Sequence, residues 1–419
     1  MHIALISEHA SPLATLGGTD SGGQNVYVAH IARQLARDGH FVDVFTRRDS
    51  PTLQPVMSFA RNVRVIHIPA GPPCFVAKEA LLPYMEEFGE RIVQHCARRP
   101  PYDVVHANFF MSGLAALRLR EEVGTPLVIT FHALGRIRQL HQGQADAFPP
   151  ERIDIEDALV ATADRVIAEC PQDRADLIAH YAADPRRIEV VPCGFDPDEF
   201  GPGKRTQRER FGLDDDDFVV LQLGRLVPRK GIDNVIRGVA ELRRRHGIVA
   251  RLLIVGGDAD QPDPVSTPEI GRLAAIAAEH GVCEQVMFTG RRPRSALAGL
   301  YNAADVFVTT PWYEPFGITP LEAMACGCPV IGAAVGGIQS TVVDSVTGFL
   351  VPPDDPVALA ERLARLQRNP ELARAFGRAG MRRVRAHYTW GHVAAQLARV
   401  YGTLGASYGV PAAAGMARV

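Results

Sequence analysis

The sequence alternates short apolar runs rich in Val and Ile with longer stretches of helical periodicity, and it does so twice. The runs lack the apolar/polar alternation of a half-exposed strand, so we expect strands buried on both faces of parallel sheets. The first series comprises residues 2–7, 41–46, 63–68, 103–106, 127–132, 165–168 and 188–192. Between its first two runs, four apolar residues have helical spacing: Val28, Ile31, Ala32 and Leu35. The first half is therefore predicted to be a doubly wound α/β domain.

A segment dense in Pro, Gly and charge, residues 195–206, interrupts this pattern and is typical of a linker. A second series of strands follows at 218–224, 251–255, 285–288, 305–309 and 329–332. Helices are predicted at 231–246, 268–280, 294–303, 319–326 and 356–368. We predict an N-terminal domain over 1–197, a C-terminal domain over 198–385 and a last helix over 386–405. One apolar stripe on that helix needs a surface to cover: Val393, Leu397, Val400 and Tyr401. The stretch from Gly405 onward is predicted to fray.

Composition excludes several classes of protein. The 45 Lys and Arg nearly balance the 47 Asp and Glu, which argues against nucleic acid as a partner. Seven scattered cysteines lack paired zinc-ligand spacing, so we expect reduced thiols and no metal site. The sequence shows no secretory leader and no apolar stretch near the ~18 residues that span a bilayer. These features predict a cytoplasmic enzyme or binding protein.

A glycine-rich loop, LGGTDSGGQNVYV, follows the first predicted strand and precedes a helix. Its glycines, which allow a ligand to approach the backbone closely, are Gly17, Gly18, Gly22 and Gly23. A flexible strand-to-helix turn is the alternative interpretation, because single glycine-rich loops are weak signals.

Two cations stand beside the predicted end of a strand and the start of a helix, in LGRLVPRKGID. Arg225 offers a planar fork of donors and Lys230 a point charge, a combination that suits a diphosphate. Solvated surface charge is the alternative for such residues.

Two carboxylates stand eight residues apart in WYEPFGITPLEAMACGCPV. Thr319 and Glu322 fit the N-cap and N3 positions of a helix, so Glu322 is predicted to complete a capping box. A capping Glu can also accept a hydrogen bond from a ligand hydroxyl, so the two roles are compatible. Glu314 lies in a loop, where it is placed to hydrogen-bond sugar hydroxyls.

The stretch ITFHALGR places His132 just past the end of a predicted strand. A histidine there is either a satisfied structural residue or a catalytic one. Neither G-x-S-x-G nor a P-loop is present, which argues against covalent acyl chemistry and P-loop phosphoryl transfer.

Taken together, these residues resemble the retaining GT-B glycosyltransferases of the sucrose-phosphate synthase and mycothiol glycosyltransferase type, known as glycosyl transferase group 1. The matching pieces are GGTDSGGQNVYV, HALGR, GRLVPRKG, EPFGITPLE, AVGGI and VTGFLVPPDD. The resemblance implies two Rossmann-like domains that face each other across a cleft, with the last helix crossing back to the first domain. It also implies transfer of a sugar from a nucleoside-diphosphate sugar with retained configuration, and without a metal or other cofactor.

The resemblance assigns four catalytic residues, namely His132, Arg225, Lys230 and Glu314. It adds further donor-binding residues, namely Gly22, Gly23, Phe316, Gly317 and Glu322. Arg225 and Lys230 would hold the donor diphosphate, and Glu322 the ribose hydroxyls. Glu314, with the backbone of Phe316 and Gly317, would hold the transferred sugar. His132 would contact that sugar near the reacting carbon.

The acceptor is predicted to be a small sugar or polyol, with or without a phosphate. By comparison with the mycothiol enzyme, Lys78 and Arg152 occupy cationic positions for such a phosphate, although surface charge is the alternative for both. Two polar partners of that enzyme are replaced here, by Phe109 and Ala133. Other functions left open are a sugar-nucleotide epimerase and a non-catalytic sugar-nucleotide-binding protein.

Overall fold

The computed structural model describes residues 1–14, 22–97, 99–143 and 146–407. The chain divides into two compact units. The first unit contains Met1–Ala14, Gly23–Pro192 and the chain from Trp390 onward. The second contains Gly22 and Cys193–Thr389. These boundaries lie a few residues from the 197/198 and 385/386 positions chosen from the sequence.

The first unit is built on one sheet flanked by helices. Its strands are β1 (His2–Ile6), β2 (Phe41–Arg47), β3 (Val56–Ala60), β4 (Val63–Ile68), β5 (Val104–Asn108), β6 (Leu127–Thr130), β7 (Arg165–Ala168) and β8 (Ile188–Val190). Its first helices are α1 (Gly23–Arg37), α2 (Met85–Cys96), α3 (Phe110–Val123), α4 (Gly135–Gln142), α5 (Arg152–Thr162) and α6 (Pro171–Tyr181). The strand order is β3-β4-β2-β1-β5-β6-β7-β8, and the pairs are parallel except for β3 with β4.

The second unit repeats the plan with a fully parallel sheet. Its strands are β9 (Phe218–Leu223), β10 (Ala250–Val255), β11 (Val286–Phe288), β12 (Val306–Thr309), β13 (Val330–Ala333) and β14 (Gly348–Val351). Its helices are α7 (Gln207–Arg210), α8 (Ile232–His246), α9 (Pro268–Glu279), α10 (Arg294–Ala303), α11 (Ile318–Ala325), α12 (Ile338–Thr341), α13 (Pro356–Arg368) and α14 (Pro370–His387). The order β11-β10-β9-β12-β13-β14 is doubly wound, which confirms the predicted fold class.

The predicted strands are found close to their expected positions, and most of them are buried on both faces of a sheet. The edge strands β8 and β11 are only partly buried. Two strands escaped prediction, β3 and β14. The antiparallel edge strand β3 is only partly buried. Strand β14 begins at Gly348 and is followed by Pro352 and Pro353, residues that are typical of loops. The last helix, α15 (Trp390–Ser407), begins four residues after the predicted start at 386, because α14 extends through His387. It continues past Gly405, where fraying was predicted, and residues 408–419 lie outside the described part of the chain.

The segment predicted as a linker, residues 195–206, is part of the second unit and is hydrogen-bonded to it. The backbone N–H of Phe195 donates to the carbonyl of Tyr388 at 2.9 Å. The backbone N–H of Gly203 donates to Asn302 Oδ1 at 2.7 Å, and Arg205 pairs with Asp305.

Helix α15 belongs to the first unit and packs against α1. Its predicted apolar stripe is buried there. The ring of Trp390 stacks on His30, with 5.3 Å between centroids. At the other end of the helix, the Tyr401 hydroxyl lies 2.6 Å from Nδ1 of His106, and Nε2 of this histidine lies 2.8 Å from Thr130 Oγ1. A fully buried imidazole therefore joins α15 to the sheet.

Among the described residues, we find no helix that combines the length and the apolar character needed to cross a membrane. A cytoplasmic location stays a prediction from the sequence.

The fold should lose stability in acid because of His106. Burial, together with the nearby His132, lowers the pKa of His106 from 6.5 to about 3, so the imidazole stays neutral in the folded state. The unfolded chain takes up this proton below pH 6.5, and stability is lost as the pH falls from there toward 3. We expect this loss to be smaller in a His106→Asn variant when thermal unfolding is measured between pH 7 and 4.5. The free energy of unfolding of the wild type should fall more steeply than that of the variant, by up to about 1.4 kcal/mol for each pH unit.

A His387→Asn variant at an exposed position is the control for this experiment and should keep the wild-type pH dependence. An unchanged pH dependence in His106→Asn would mean that this histidine does not contribute to acid sensitivity.

Candidate active site

The candidate donor site lies where the strand order of the second sheet reverses. Strands β9 and β12 are neighbours, but β10 and β11 continue to one side and β13 and β14 to the other. The loops after β9 and β12 therefore diverge and leave room for a ligand at the carboxyl edge of the sheet. Lys230 ends a short 3₁₀ turn in the first loop, and Glu314 lies in the second.

Lys230 and Glu314 form an ion pair between these loops, although they are 84 residues apart. Arg229 supports the pair, with Nη1 3.0 Å from the Tyr313 carbonyl and 3.8 Å from Oε2 of Glu314. The Lys230 and Glu314 side chains are only 17% and 11% exposed. The structure thus brings together a cation and a carboxylate that the sequence assigned to one site.

Burial and the neighbouring charges together determine the protonation of Lys230 and Glu314. Burial lowers the pKa of Lys230 to about 8, even though the charge of Glu314 acts in the opposite direction. Burial alone would raise the pKa of Glu314, but the charges of Lys230 and Arg229, with the hydrogen bond from Lys230, hold that pKa below its usual value. Near neutral pH both groups are charged.

Glycines allow the loops of this site to touch backbone to backbone. A Cβ on Gly231, which has a φ of +62°, would lie 2.0 Å from the Thr310 carbonyl oxygen. A Cβ on Gly336, at φ +45°, would lie 1.8 Å from the carbonyl oxygen of Glu314. The loops after β12 and β13 are therefore closely fitted around Glu314, and the predicted sugar-binding backbone at Phe316 and Gly317 lies in the same turn.

The capping-box interpretation of Glu322 is wrong. Helix α11 begins at Ile318 with Gly317 as its N-cap, so Thr319 lies inside the helix and Glu322 lies beyond its first turn. The carboxylate instead accepts hydrogen bonds from Nη1 of Arg294 at 2.9 Å and from the hydroxyl of Tyr301 at 3.0 Å. Its residue is 2% exposed.

The glycine loop is described only at its end. Gly17 and Gly18 lie outside the described residues, whereas Gly23 is the first residue of α1. A Cβ on Gly22 would lie 3.9 Å from Nε of Arg225. Gly22 and Arg225, both predicted to line the diphosphate site, are therefore neighbours.

In the first unit, His132 follows β6 with a φ of +58°. Its Nδ1 lies 3.1 Å from Glu169 Oε1, and its Nε2 lies 3.1 Å from Asn108 Oδ1. Because the Asn108 amide nitrogen donates to the carbonyls of Ile6 and His106, its oxygen faces the histidine. Both ring nitrogens have partners, as a structural histidine requires, but left-handed backbone in a non-glycine residue is typical of functional sites.

Arg152 is buried, so the surface-charge alternative is wrong for this residue. It is 2% exposed, its Nε donates to Glu156 Oε1 at 2.7 Å and its Nη2 to the carbonyl of Ala133. Three rings enclose its guanidinium, with centroids 4.6–5.0 Å from Cζ: Phe109, Phe110 and Phe148. Its Nη1 is buried and has no hydrogen-bond partner among the described residues.

Lys78, the other predicted acceptor residue, lies in a 3₁₀ turn and pairs with Glu79 at 3.2 Å. Its side chain is 19% exposed. Lys78 is therefore open to solvent in part, whereas Arg152 is enclosed.

Sequence reasoning missed the residues that hold the assigned ones in place. Asn108 and Glu169 bond His132, Arg229 bonds the Glu314 loop, and Arg294 and Tyr301 bond Glu322. Arg294 and Tyr301 are seven residues apart on α10 and thus share one helix face, which is the signal that the sequence offered.

The chain is similar to known glycosyltransferases over nearly its whole length. The family model described as "Glycosyl transferases group 1" matches residues 203–383, and that described as "Glycosyltransferase Family 4" matches residues 21–199. D-inositol 3-phosphate glycosyltransferase 1 of Catenulispora acidiphila is 39% identical over 95% of either chain. A sucrose-phosphate synthase structure from Thermosynechococcus elongatus has a TM-score of 0.88 and 35% identity, covering 97% of this chain and 99% of that one. The structure of Anabaena HepE with UDP and glucose has a TM-score of 0.74 and 21% identity, covering 96% and 99%, and supports the fold alone.

In doubly wound folds, ligands bind at the carboxyl edge of the sheet where the strand order reverses. The chain belongs to the group 1 family of glycosyltransferases. The predicted resemblance, GT-B fold class and glycosyltransferase activity are confirmed.

The close approach at Gly336 should be essential for the donor site. A Gly336→Ala variant places a methyl group against the Glu314 backbone, so we expect a lower thermal midpoint and no detectable nucleoside diphosphate binding in calorimetry.

Gly212→Ala is the matched control, since Gly212 has a φ of +59° but a Cβ there would meet nothing within 4 Å. It should cost about 1 kcal/mol of stability and leave nucleotide binding intact. Wild-type nucleotide affinity in Gly336→Ala would contradict the importance of this contact.

Proposed function

We propose that this chain is a retaining, metal-independent glycosyltransferase that moves a sugar from a nucleoside-diphosphate sugar to a hydroxyl of a small phosphorylated polyol or sugar. The observation that carries the proposal is the buried Lys230 and Glu314 pair, with Arg229 beside it, at the switch point of the second sheet. The names of the relatives, D-inositol 3-phosphate glycosyltransferase and sucrose-phosphate synthase, support an acceptor of this class.

In the proposed reaction, the cations stabilise the leaving group. Breaking the bond between the anomeric carbon and the diphosphate leaves negative charge on the diphosphate and positive charge on the sugar ring. Lys230 and Arg225, held by the second unit in a largely buried site, neutralise the diphosphate better than water does. Fixed charges need no reorganisation during the reaction, which is the main physical source of such catalysis.

The carboxylates have separate tasks in this proposal. Glu314 accepts hydrogen bonds from hydroxyls of the transferred sugar, with the backbone at Phe316 and Gly317 beside it. Glu322 accepts them from the ribose. When the donor binds, its diphosphate replaces Glu314 as the partner of Lys230, and a sugar hydroxyl replaces Lys230 as the partner of Glu314. Neither buried charge is left without a partner.

Retention follows if the acceptor hydroxyl attacks from the face that the diphosphate leaves. The departing phosphate oxygen takes the proton of that hydroxyl, so no enzyme base is required. His132, which is fixed by Glu169 and Asn108, contacts the transferred sugar near its reacting carbon.

Arg152 and Lys78 form the proposed acceptor phosphate site. Within the described ranges, Nη1 of Arg152 has no acceptor and is buried among three phenylalanine rings. This supports an anionic ligand, because a buried donor without an acceptor is costly. The partly exposed Lys78 adds a second positive charge.

The function is tested by thermal-shift screening with UDP, GDP and ADP sugars, followed by product analysis with inositol phosphates and sugar phosphates. We expect nucleotide release only with an acceptor, and a product whose new glycosidic bond keeps the donor's anomeric configuration in NMR spectra. A new sugar isomer without nucleotide release would instead identify an epimerase. Tight nucleotide binding without turnover on any acceptor would identify a binding protein.

The pH dependence of catalysis should report on Lys230. Since its pKa is about 8, the cation is lost as the pH rises, and kcat/KM should fall through about pH 8. A Lys230→Arg variant should keep part of the activity without this alkaline decline, because guanidinium stays protonated. Lys230→Met should lose about 100-fold or more in kcat. An alkaline decline near pH 8 that persists in Lys230→Arg would contradict the role of this lysine.

The acceptor site is tested with phosphorylated and unphosphorylated forms of the same acceptor. Lys78→Met and Arg152→Met should raise KM for the phosphorylated form by about 10-fold or more, since each removes a charged hydrogen bond. KM for the unphosphorylated form should change little. Glu79→Gln, which leaves the Lys78 cation in place, is the control and should retain wild-type selectivity. Equal losses on both acceptor forms would contradict a phosphate site.

A further inference from the structure

The carboxylate of Glu322 is held in one orientation by two residues of α10. Nη1 of Arg294 donates to its Oε1 at 2.9 Å, and the hydroxyl of Tyr301 donates to its Oε2 at 3.0 Å. Each oxygen has thus received one donor and keeps a second lone-pair direction for a ligand. Glu322 is therefore oriented before any ligand binds.

Both supporting residues are themselves fixed. Tyr301 is fully buried, and its ring packs edge-on against Phe307, with 5.4 Å between centroids. Burial, together with the negative charge of Glu322, raises the pKa of Tyr301 well above its ordinary value, so the hydroxyl stays a donor at every working pH. The guanidinium of Arg294 lies over the ring of Phe200, at 4.9 Å, and bonds Glu199 through Nε.

Another nitrogen of the Arg294 guanidinium is available to donate a hydrogen bond to a ligand. Its Nη2 is buried and makes no hydrogen bond within the described part of the chain. The carboxylate acceptors of Glu322 and this unused N–H stand side by side. A vicinal diol has matching chemistry, because each hydroxyl both donates and accepts.

We propose that Tyr301 and Arg294 are positioning residues, which aim Glu322 at the two ribose hydroxyls of the donor, and that Nη2 of Arg294 donates to one of those hydroxyl oxygens. This inference rests on the proposed function of the site, and it goes beyond the sequence-based role of Glu322 alone. The specificity of the enzyme for ribonucleotides over deoxyribonucleotides is set by three residues together.

The test compares the calorimetric Kd of a nucleoside diphosphate (UDP, GDP or ADP, whichever binds) with those of its 2′-deoxy and 3′-deoxy forms. The wild type should bind the ribonucleotide about 10-fold or more tightly than the deoxy forms, which is the loss expected for one hydrogen bond to a charged group. Glu322→Gln should reduce this preference to about 3-fold or less.

The variants Tyr301→Phe and Arg294→Met test whether these two residues orient Glu322. Each should weaken binding of the ribonucleotide to the level of the deoxy forms, while Kd for the deoxy forms stays within about 3-fold of the wild type. The two variants remove different hydrogen bonds, so either one decides the test if the other does not fold. Tyr102→Phe, which removes a buried bond from a tyrosine to Asp43 in the first unit, is the matched control and should retain the wild-type preference.

A purely structural role for Tyr301 and Arg294 would weaken ribonucleotide and deoxynucleotide binding equally, and that result would overturn the inference. Binding of the ribonucleotide without any preference over the deoxy forms would also overturn it, but would leave the proposed function in place. No binding of any nucleoside diphosphate by the wild type would refute the proposed function as well.

Discussion

The ion pair of Lys230 and Glu314 is the constraint on which the proposed donor site depends. A largely buried lysine and a largely buried carboxylate are each unfavourable alone, and each is held charged by the other. The pair also joins two loops that are far apart in the sequence. In the proposed reaction the same two charges bind the donor. The diphosphate replaces Glu314 as the partner of Lys230, and a sugar hydroxyl replaces Lys230 as the partner of Glu314.

Topology explains why these two residues meet. In a parallel sheet the carboxyl ends of all strands lie at one edge. The loops that follow two neighbouring strands diverge where the strand order reverses. In the second unit that point lies between β9 and β12, which carry Lys230 and Glu314. In the first unit it lies between β1 and β5, and Phe109 follows β5 with a φ of +87°. Left-handed backbone in a non-glycine residue thus lies at the carboxyl edge of the first sheet, and an ion pair lies at that of the second.

Much of this could be predicted from the sequence, because buried parallel strands leave a clear apolar signal and the loop motifs have characteristic residues. The apolar signal is weak in the partly buried strand β3, and in β14 the flanking Gly348 and Pro352 favour a loop interpretation. Sequence patterns also fail where tertiary contacts decide a role. Helical spacing alone allowed Glu322 to be a cap, and only the positions of Arg294 and Tyr301 show which groups the carboxylate bonds. The enclosure of Arg152 by three rings depends on segments from different parts of the chain, so no local pattern reported it.

The most direct measurement is a crystal structure of the protein with a bound nucleoside-diphosphate sugar. The account predicts that diphosphate oxygens lie within hydrogen-bond distance of both the Lys230 ammonium and the Arg225 guanidinium, with Glu314 turned to the sugar hydroxyls. A diphosphate bound away from these two cations, with the ion pair of Lys230 and Glu314 still closed, would contradict the account.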